Sequence, residues 1–286
     1  MILYDNHFVD SVVYNGNQVN VVNCNGEQIF PERALIFVSD NPFTVGNNNN
    51  MTGFCDGALE VRSGNGNWTS WDGSTTITAS IISNKYIVSF RGTGNTYFYK
   101  SSSVYLNFVL TGSNIELKGS PNYLLDYTRE ITSLPTPSIS NVGTFDNMFK
   151  DCTGLTSIPT GFLPATTLVS YCYRHMFKGC TGLTNVPNLP ATTLANNCYM
   201  QMFYNCTGLT TLPANLLPVA TLATYCYREM FSNCTSLRLS NTQSPIYNKK
   251  VVQFGAISPA TAVYEMFQNV PNVTATPTNN LAYYSK

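Results

Sequence analysis

An internal repeat constrains the second half of the chain more than any other feature of the sequence. The dipeptide Met-Phe begins at Met148, Met176, Met202 and Met230, at intervals of 28, 26 and 28 residues, and occurs again at Met266. Cys-Thr-Gly-Leu and Leu-Pro-Ala-Thr-Thr-Leu recur with it. Repeats of this length are typical of units that cannot bury their apolar face alone and therefore stack on their neighbours. We expect a stacked array from about residue 123 to residue 286.

Each unit combines a short apolar segment with a cysteine-rich segment. The first reads L-T-x-I/V/L-P and predicts a strand, so stacked units would form a parallel sheet. The second reads C-Y-x-x-M-F-x-x-C, and Cys198, Met202 and Cys206 have the spacing i, i+4, i+8. That spacing predicts one stripe of a short helix. The residue before each Met varies, so we expect it to face water; it is Asn147, His175, Gln201, Glu229 or Glu265.

The cysteines of the repeat are interpreted as core residues rather than as disulfide partners, metal ligands or catalytic nucleophiles. On one helix Cys198 and Cys206 would lie about 12 Å apart, too far for a disulfide. The chain has no C-x-x-C pair, and neither His7 nor His175 belongs to a repeated ligand pattern, so we predict no metal site. A catalytic thiol would not recur in every unit. We expect buried free thiols, with disulfides between adjacent units as the alternative.

The end units depart from the repeat in the way that capping units do. The first has Thr144 where the first cysteine of a unit belongs, and the last has Val263 and Val270 at both cysteine positions. Truncating a central core residue, as in Met202→Ala or Phe203→Ala, is expected to cost roughly 2–5 kcal/mol.

The N-terminal region, residues 1–40, is predicted to form a β-meander that serves as an attachment module. Two Asn-Gly pairs lie ten residues apart, and each is flanked by short alternating runs. Asn-Gly is the preferred sequence of tight type I′ hairpin turns. The predicted strands are roughly 9–14, 18–23 and 27–31. This stretch resembles a small module at the N-termini of some phage tail and baseplate proteins.

Residues 41–122 are rich in β-branched and aromatic residues and are punctuated by glycine. Stretches such as "TTITASI" and "YIVSFRG" alternate with period two, which predicts a small β-sandwich or barrel. The expected fold class is therefore α/β plus all-β. It consists of a β-meander and a small sandwich or barrel, followed by the repeat array over residues 123–286.

Composition narrows the classes of function. Charged residues make up 10% of the chain and the formal net charge is zero, so nothing indicates binding to nucleic acid. The sequence has no apolar run long enough for a membrane helix. Its start, MILYDNHFVD, has no basic segment of the kind that begins a secretory signal. A neutral surface rich in Asn, Thr, Ser, Gly and Tyr is typical of virion and extracellular proteins.

The repeat resembles a known family. Its order, C-x-x-L-x-x-I-P followed by L and then C-Y-x-x-M-F-x-x-C, resembles the BspA-type leucine-rich repeat, with Met-Phe in place of the family's common Ala-Phe. The preceding "NWTSWDG", "VSFRGTGNT" and "YLLDY" resemble the β-rich segment before such repeats in surface proteins of gut Bacteroidetes and their phages. The resemblance covers about 230 of the 286 residues. It implies a right-handed leucine-rich repeat solenoid, an adhesive or recognition role and no conserved active site.

Few residues suggest catalysis. Glu229 is the only acidic residue between Cys152 and Tyr264, so the repeats alone cannot supply a carboxylate pair. In the β-rich region Asp56, Glu60 and Asp72 could pair, although isolated surface carboxylates are the simpler interpretation. We predict no catalytic residue, no cofactor and no metal.

Two sets of residues are candidates for binding. Trp68 and Trp71 could stack on sugar rings if exposed, or could form a tryptophan corner of the core. The exposed residues of the repeat strands form a neutral polar set, the threonine ladder, which suits a glycan or has no partner at all. Its members are Thr156, Ser157, Thr184, Asn185, Thr210, Thr211 and Arg238.

The expected function is that of a non-enzymatic phage virion structural protein, a component of a tail, baseplate or fiber. Its N-terminal region would contact other virion proteins, and its repeats would contact host-surface glycan or protein. A bacterial cell-surface adhesin of the BspA-like type is the alternative, and a glycan-degrading enzyme is a remote one. Homo-oligomerisation is compatible with either. Neither nucleic acid nor membrane insertion is expected.

Overall fold

A computed structural model describes residues 33–48, 52–82, 84–125, 134–135, 143–217 and 221–286, together with the backbone of short strands between residues 2 and 30. The described chain is mostly β, with several separate sheets and very few helical residues. No sheet of the described part closes into a barrel. The all-β part of the predicted fold class is confirmed, and the helical part is not.

The N-terminal strands form three separate hairpins. The strands are β1 Ile2–Tyr4, β2 His7–Val9, β3 Val12–Tyr14, β4 Asn17–Val19, β5 Val22–Cys24 and β6 Glu27–Phe30. β1 pairs with β2, β3 with β4 and β5 with β6, all antiparallel. The hairpins predicted around both Asn-Gly pairs are confirmed, but the turn residues themselves lie outside the described residues. The continuous meander is wrong because β4 and β5 belong to different sheets. Adjacent Val21 and Val22 break the alternation that one strand over 18–23 would need.

The β-rich region has two main sheets. Its elements are β7 Leu35–Ser39, β8 Thr44–Asn47, β9 Ala58–Ser63, β10 Thr69–Ser70, β11 Ile77–Thr78, β12 Ser80–Ile82, β13 Lys85–Thr93, β14 Tyr99–Ser101, β15 Val104–Tyr105, β16 Phe108–Thr111, β17 Ile115–Gly119 and the short helix α1 Asn122–Leu125. The larger sheet has the order β10-β9-β13-β7-β17-β18, where β18 is Leu155–Ser157 and β12 also pairs with β13. The smaller sheet has the order β11-β8-β16, and β14 pairs with β15 in a separate hairpin.

Aromatic side chains pack the two sheets against each other. Phe37 and Phe90 of the larger sheet contact Phe108 of the smaller one, with ring centroids 5.1 and 5.0 Å apart. The side chains that line this interface are fully buried, as expected for the inner faces of packed sheets. The arrangement is open and sandwich-like.

The predicted boundary at residue 40 falls one strand too late. β7 pairs with both β13 and β17 in the middle of the larger sheet. Its residues are buried on both faces because Leu35 and Phe37 lie in the main core while Ile36 and Val38 form a second cluster with Ile87. The β-rich region therefore includes β7.

The cysteine-rich segments are chains of turns, not helices. In the second unit φ is positive at every fourth residue, with values of 62°, 56° and 76° at Tyr171, His175 and Gly179. The same periodicity recurs in the other units. A period of four places residues i, i+4 and i+8 on one face, as a helix nearly does, which is why the spacing predicted a helix. The predicted stripe is present, but the helix is wrong.

Backbone hydrogen bonds explain why turns form. The N–H groups of alternate residues donate within the unit to the carbonyl three residues earlier. Those of the intervening residues donate to the neighbouring unit, as from Phe149 to the Met176 carbonyl at 2.9 Å and from Phe177 to the Met202 carbonyl at 2.9 Å. An α-helix would bond its N–H groups along its own length and leave none for the next unit. The turn segment satisfies its backbone by joining units together.

Two columns of stacked rings run through the repeats. Phe149, Phe177, Phe203 and Phe231 are nearly parallel, with successive centroids 5.2, 5.6 and 5.5 Å apart. A second column contains Phe145, Tyr173, Tyr199 and Tyr227, with spacings of 5.8, 5.7 and 5.8 Å. Both columns continue into the β-rich region, the first to Phe108 and the second to Phe98. The repeats and the sheets therefore share one core.

The prediction that the repeat cysteines are buried free thiols is confirmed for the described residues. All seven described repeat cysteines are buried and form no disulfide. Cys55, which belongs to the β-rich region, is free and only partly buried. The second thiol of each unit donates to a phenylalanine carbonyl of the preceding unit, as from Cys206 to the Phe177 carbonyl at 3.1 Å and from Cys234 to the Phe203 carbonyl at 3.1 Å. A thiol can fill this place as both a small apolar group and a weak donor.

The glycine of Cys-Thr-Gly-Leu lies where adjacent units come closest. A Cβ atom on Gly182 would lie 2.5 Å from the Thr153 carbonyl oxygen, and one on Gly208 would lie 2.6 Å from that of Thr181. Real Cβ atoms do not approach oxygen so closely, so a side chain here would push the units apart.

Among the apolar segments of the described units, only the first and the fourth contain a strand. In the fourth unit the strand is β19 Leu239–Ser240, and in the first it is β18. It lies parallel to β17 and joins the repeats to the larger sheet. The continuous parallel sheet is therefore only partly formed. Equivalent segments still exchange single bonds, as from the Thr184 N–H to the Thr156 carbonyl at 3.0 Å and from the Arg238 N–H to the Thr210 carbonyl at 2.9 Å.

The C-terminal residues cover the last units. Val263 and Val270 are buried at the cysteine positions of the last unit. Three strands, β19 Leu239–Ser240, β20 Lys249–Gln253 and β21 Ala282–Ser285, form a sheet in the order β19-β21-β20. A short 3₁₀ helix spans Ala260–Val263. The ring of Tyr283 lies 5.1 Å from that of Phe267, so the sheet closes the end of the first aromatic column.

We expect residues 33–286 to unfold in a single thermal transition. Separating the sheets from the repeats would expose the apolar core that they share, so neither region is expected to unfold before the other. Differential scanning calorimetry of a variant that lacks residues 1–32 tests this expectation. Two resolved transitions, each assignable to one region by proteolysis at intermediate temperature, would contradict it.

Candidate functional site

The structure brings the threonine ladder together but uses much of its hydrogen-bonding capacity internally. Thr184, Thr210 and Arg238 are exposed, and the other members are half-buried. The Thr184 hydroxyl donates to the Thr156 carbonyl at 3.0 Å, and the Asn185 side chain both donates to and accepts from the backbone of Ile158, at 2.6 and 3.0 Å. These side chains join adjacent units, so fewer of their polar groups remain for a ligand.

The two tryptophans do not form an exposed pair. Trp71 is buried in the aromatic core, and its indole N–H donates to the Thr75 carbonyl at 2.9 Å. A sugar cannot reach this ring, so Trp71 is wrong as a binding candidate and is a core residue. Trp68 is half-buried on the other face of the larger sheet, where the guanidinium carbons of Arg62 and Arg91 lie 4.7 and 4.3 Å from its ring centroid.

A second surface, which the sequence analysis did not identify, lies on the outer face of the turn segments. We call it the tyrosine–arginine face. Opposite the buried Met, Phe and Cys side chains, the turn segments of successive units carry aromatic and polar side chains that contact one another. The face consists of Tyr99 of the β14–β15 hairpin and of Tyr171, Arg174, Lys178, Gln201, Tyr204, Tyr225, Arg228, Glu229 and Tyr264 of the repeats.

Two arginines on this face are each held between two tyrosine rings. The Arg174 guanidinium carbon lies 4.7 Å from the ring centroid of Tyr171 and 5.4 Å from that of Tyr99. Arg228 lies 5.2 and 5.4 Å from Tyr225 and Tyr264. Cation–π contacts of this kind are worth about 0.5–1 kcal/mol at exposed sites and hold both partners in place.

A line of side-chain hydrogen bonds connects three adjacent units between the two arginines. Lys178 donates to the Gln201 side-chain carbonyl at 2.6 Å, and the Gln201 amide donates to Glu229 at 2.7 Å. Arg228 donates to the other oxygen of Glu229 at 2.8 Å. Burial and the neighbouring Lys150 lower the pKa of Lys178. The residues before Met, expected to face water, are in fact half-buried or buried. Gln201 and Glu229 show one cause, since the turn brings them against each other across adjacent units.

A buried carboxylate anchors one end of the face. The Asp146 side chain is inaccessible to solvent and accepts a hydrogen bond from Arg174 at 2.7 Å, while His175 Nδ1 lies 3.5 Å from its other oxygen. Burial alone would lower the pKa of Arg174, but Asp146 raises it. The ion pair keeps Arg174 charged and oriented between its two tyrosines.

The carboxylates of the β-rich region are separate, as the simpler interpretation expects. Glu60 pairs with Arg91 at 2.8 Å, Asp56 accepts from Thr96 and Asp72 accepts from Ser74. Among the described residues, no three His, Cys, Asp or Glu side chains gather as metal ligands would. No described helix is both long enough and apolar enough to cross a bilayer.

Comparisons of the chain with family models, curated proteins and solved structures gave no match. The tyrosine–arginine face escaped the sequence analysis because its positions vary from unit to unit. The signal that could have found it is compositional: Tyr, Arg, Lys and Gln recur at the positions flanking Met-Phe, and these are not residues of an inert solvated surface.

Proposed function

We propose that the chain is a non-enzymatic recognition protein, a structural component of a phage virion whose repeats form a leucine-rich repeat solenoid and contact host-surface material. The observation that carries this proposal is the tyrosine–arginine face. Its aromatic and basic side chains are fixed by contacts with one another, and residues of this kind carry most of the energy at binding interfaces.

The solenoid itself is supported by the contacts between units. Equivalent backbone groups and equivalent rings of successive units meet at a constant spacing, and the valine-containing last unit is covered by the C-terminal sheet. A rigid stack displays an extended surface at no further entropic cost.

The attachment role of the N-terminal region is supported by the pairing of its strands. The six strands β1–β6 pair only within their own hairpins, and isolated hairpins are marginally stable in water. Contacts with another virion protein would stabilise them. The bacterial surface adhesin remains the second candidate, since the same face would serve it equally well.

Deletion of residues 1–32 is expected to abolish incorporation into particles and to leave the remaining chain folded. The deletion ends before β7, whereas a longer one through residue 36 would remove part of a core strand. The measurement is immunogold labelling of purified particles, with circular dichroism of the isolated truncated protein as the control for folding. Equal labelling with the full-length and truncated proteins would show that the attachment assignment is wrong.

A further inference from the structure

We propose that the tyrosine–arginine face binds a neutral, extended, β-1,4-linked polysaccharide, with one sugar residue to each repeat unit. The inference rests on the proposed recognition function and names the class of ligand. It follows from three properties of the face: its spacing, its charge balance and the character of its exposed groups.

The spacing of the units matches the repeat of such a polymer. Equivalent rings in neighbouring units lie 5.2–5.8 Å apart along both aromatic columns. This step is close to the length of one pyranose residue in an extended β-1,4-linked chain. A ligand of that geometry could place one sugar residue over each unit without losing register, whereas a coiled polymer could not. Tyr171, Tyr204, Tyr225 and Tyr264 come from four successive units, although not from equivalent positions of them.

The charges of the face are balanced locally. Arg174 pairs with Asp146, and Arg228 pairs with Glu229. A surface built for a polyanion would leave its cations available for the ligand. Here both arginines are already paired with carboxylates and Lys178 donates to the neutral Gln201 side chain, so a neutral hydroxyl-bearing chain fits better than phosphate or an acidic polymer does.

The exposed groups of the face are suited to binding the hydroxyls and rings of a sugar rather than the apolar side chains of a protein partner. The large apolar side chains with the greatest exposure among the described residues are Ile81, Val109, Ile246 and Tyr264, and only Tyr264 belongs to this face. The core of a protein–protein interface is depleted of Lys and Glu, whereas Lys178 and Glu229 lie in the middle of this face. Tyrosines held by arginines instead offer rigid ring surfaces beside polar groups, which is the combination that sugars use.

Calorimetric titration with β-1,4-linked oligosaccharides of two to six residues tests the proposal. Cello-, xylo- and manno-oligosaccharides supply different hydroxyl patterns on the same backbone geometry, and dextran supplies a coiled control. Binding to at least one series is expected to tighten about two- to tenfold with each added sugar, the fold-change of one aromatic contact, and to level off near five residues. No binding, equal binding of dextran, or no dependence on length would overturn the proposal.

A pair of double variants locates the site. Tyr204→Ala with Tyr225→Ala is expected to weaken binding at least tenfold. Ile246→Ala with Tyr247→Ala removes comparable apolar surface from the loop between β19 and β20 and is expected to leave binding unchanged. Thermal unfolding of both variants confirms that they fold. Loss of binding in Thr184→Ala, with retention in the tyrosine variant, would place the site on the threonine ladder and contradict the proposal.

These measurements separate the ligand class from the proposed function. If labelled full-length protein binds host cells and the tyrosine double variant binds them equally well, recognition stands and the assignment of this face is wrong. If neither form binds cells while the oligosaccharide series binds, the ligand class stands and the host-recognition role fails.

Discussion

Raising the pH from about 8 to about 10.5 is expected to unfold the protein cooperatively and reversibly under reducing conditions. Burial raises the pKa of every buried repeat thiol, to about 11 for Cys226 and about 12 for Cys234. An unfolded thiol ionises near pH 8.5–9. Because the folded pKa is the higher one, the thiols contribute their full stability below the unfolded pKa and lose it as the pH rises toward the folded pKa.

The size of the effect follows from the number of thiols. Each buried thiol loses about 1.4 kcal/mol of stability per pH unit above its unfolded pKa. With seven buried thiols the loss approaches about 10 kcal/mol per pH unit, comparable with the whole stability of a typical domain, about 5–15 kcal/mol. Buried Tyr173, Tyr199 and Tyr227, whose pKa values burial also raises, add to the loss above pH 10.

The last repeat unit supplies the matched control. Val263 and Val270 occupy both cysteine positions there and are buried. A Cys198→Val, Cys206→Val variant should therefore fold, and its alkaline midpoint should shift upward because two titrating groups are gone. The measurement is far-UV circular dichroism against pH, with recovery on return to pH 7.5. A midpoint identical to that of the unaltered protein would show that the thiols do not set the alkaline limit.

Phe203→Ala is expected to destabilise the protein by about 3–5 kcal/mol, the upper part of the range for core truncation, because a large aromatic side chain is removed. Phe203 is fully buried between Phe177 and Phe231, with interplanar angles of only 4° and 5°. Alanine would leave a cavity in the middle of the column and interrupt it on both sides. For a chain of this size the loss corresponds to a fall in Tm of roughly 6–20 °C.

Two further variants distinguish the contribution of ring stacking from that of side-chain volume. Phe203→Leu keeps most of the volume but removes the ring, and is expected to lose roughly 1–2 kcal/mol. Ile246→Ala, at a side chain that is 62% exposed, is expected to change stability by less than about 0.5 kcal/mol. Urea denaturation measures all three. If Phe203→Ala and Ile246→Ala had equal effects, the column would not be a stabilising core.

The buried residues of the repeats could be predicted from the sequence because the same residue types occur at the buried positions of successive units. Cysteine, methionine and phenylalanine recur at fixed positions, and apolar Val263 and Val270 replace cysteine in the last unit. Both observations require only that these positions avoid water, whichever backbone presents them. The paired strands around the Asn-Gly sequences were readable for a local reason, since few other dipeptides favour such turns.

The backbone conformation of the turn segments could not be predicted from the spacing of these residues. Spacing alone does not separate a period of four from a helical period of 3.6 over nine residues. The discriminating signal is the position before the second cysteine, which holds Asp151, Gly179, Asn205, Asn233 and Asn269. These are the residue types that tolerate positive φ. At the position before Met, Gln201 and Glu229 adopt positive φ as well, and there the bonds to the adjacent unit outweigh a local cost of about 1–2 kcal/mol.

The tertiary positions of individual side chains could not be predicted from the sequence either. Trp68 and Trp71 lie three residues apart in the sequence, yet they occupy opposite faces of the larger sheet. The boundary near residue 40 was misplaced because β7 acquires its central position only from two strands, β13 and β17, that come much later in the chain. Non-local pairing of this kind leaves no local signature.

The alternation of backbone bonds within and between units has an evolutionary consequence. Adjacent units are joined by main-chain groups, which every amino acid possesses, and by an inner set of side chains that hardly changes. Duplication or loss of one whole unit would leave the main-chain bonds and the inner side-chain contacts of every surviving junction the same in kind. A lineage carrying this gene can therefore alter the reach of its protein by recombination between repeats, and can diversify the outer residues by point mutation, as two independent processes.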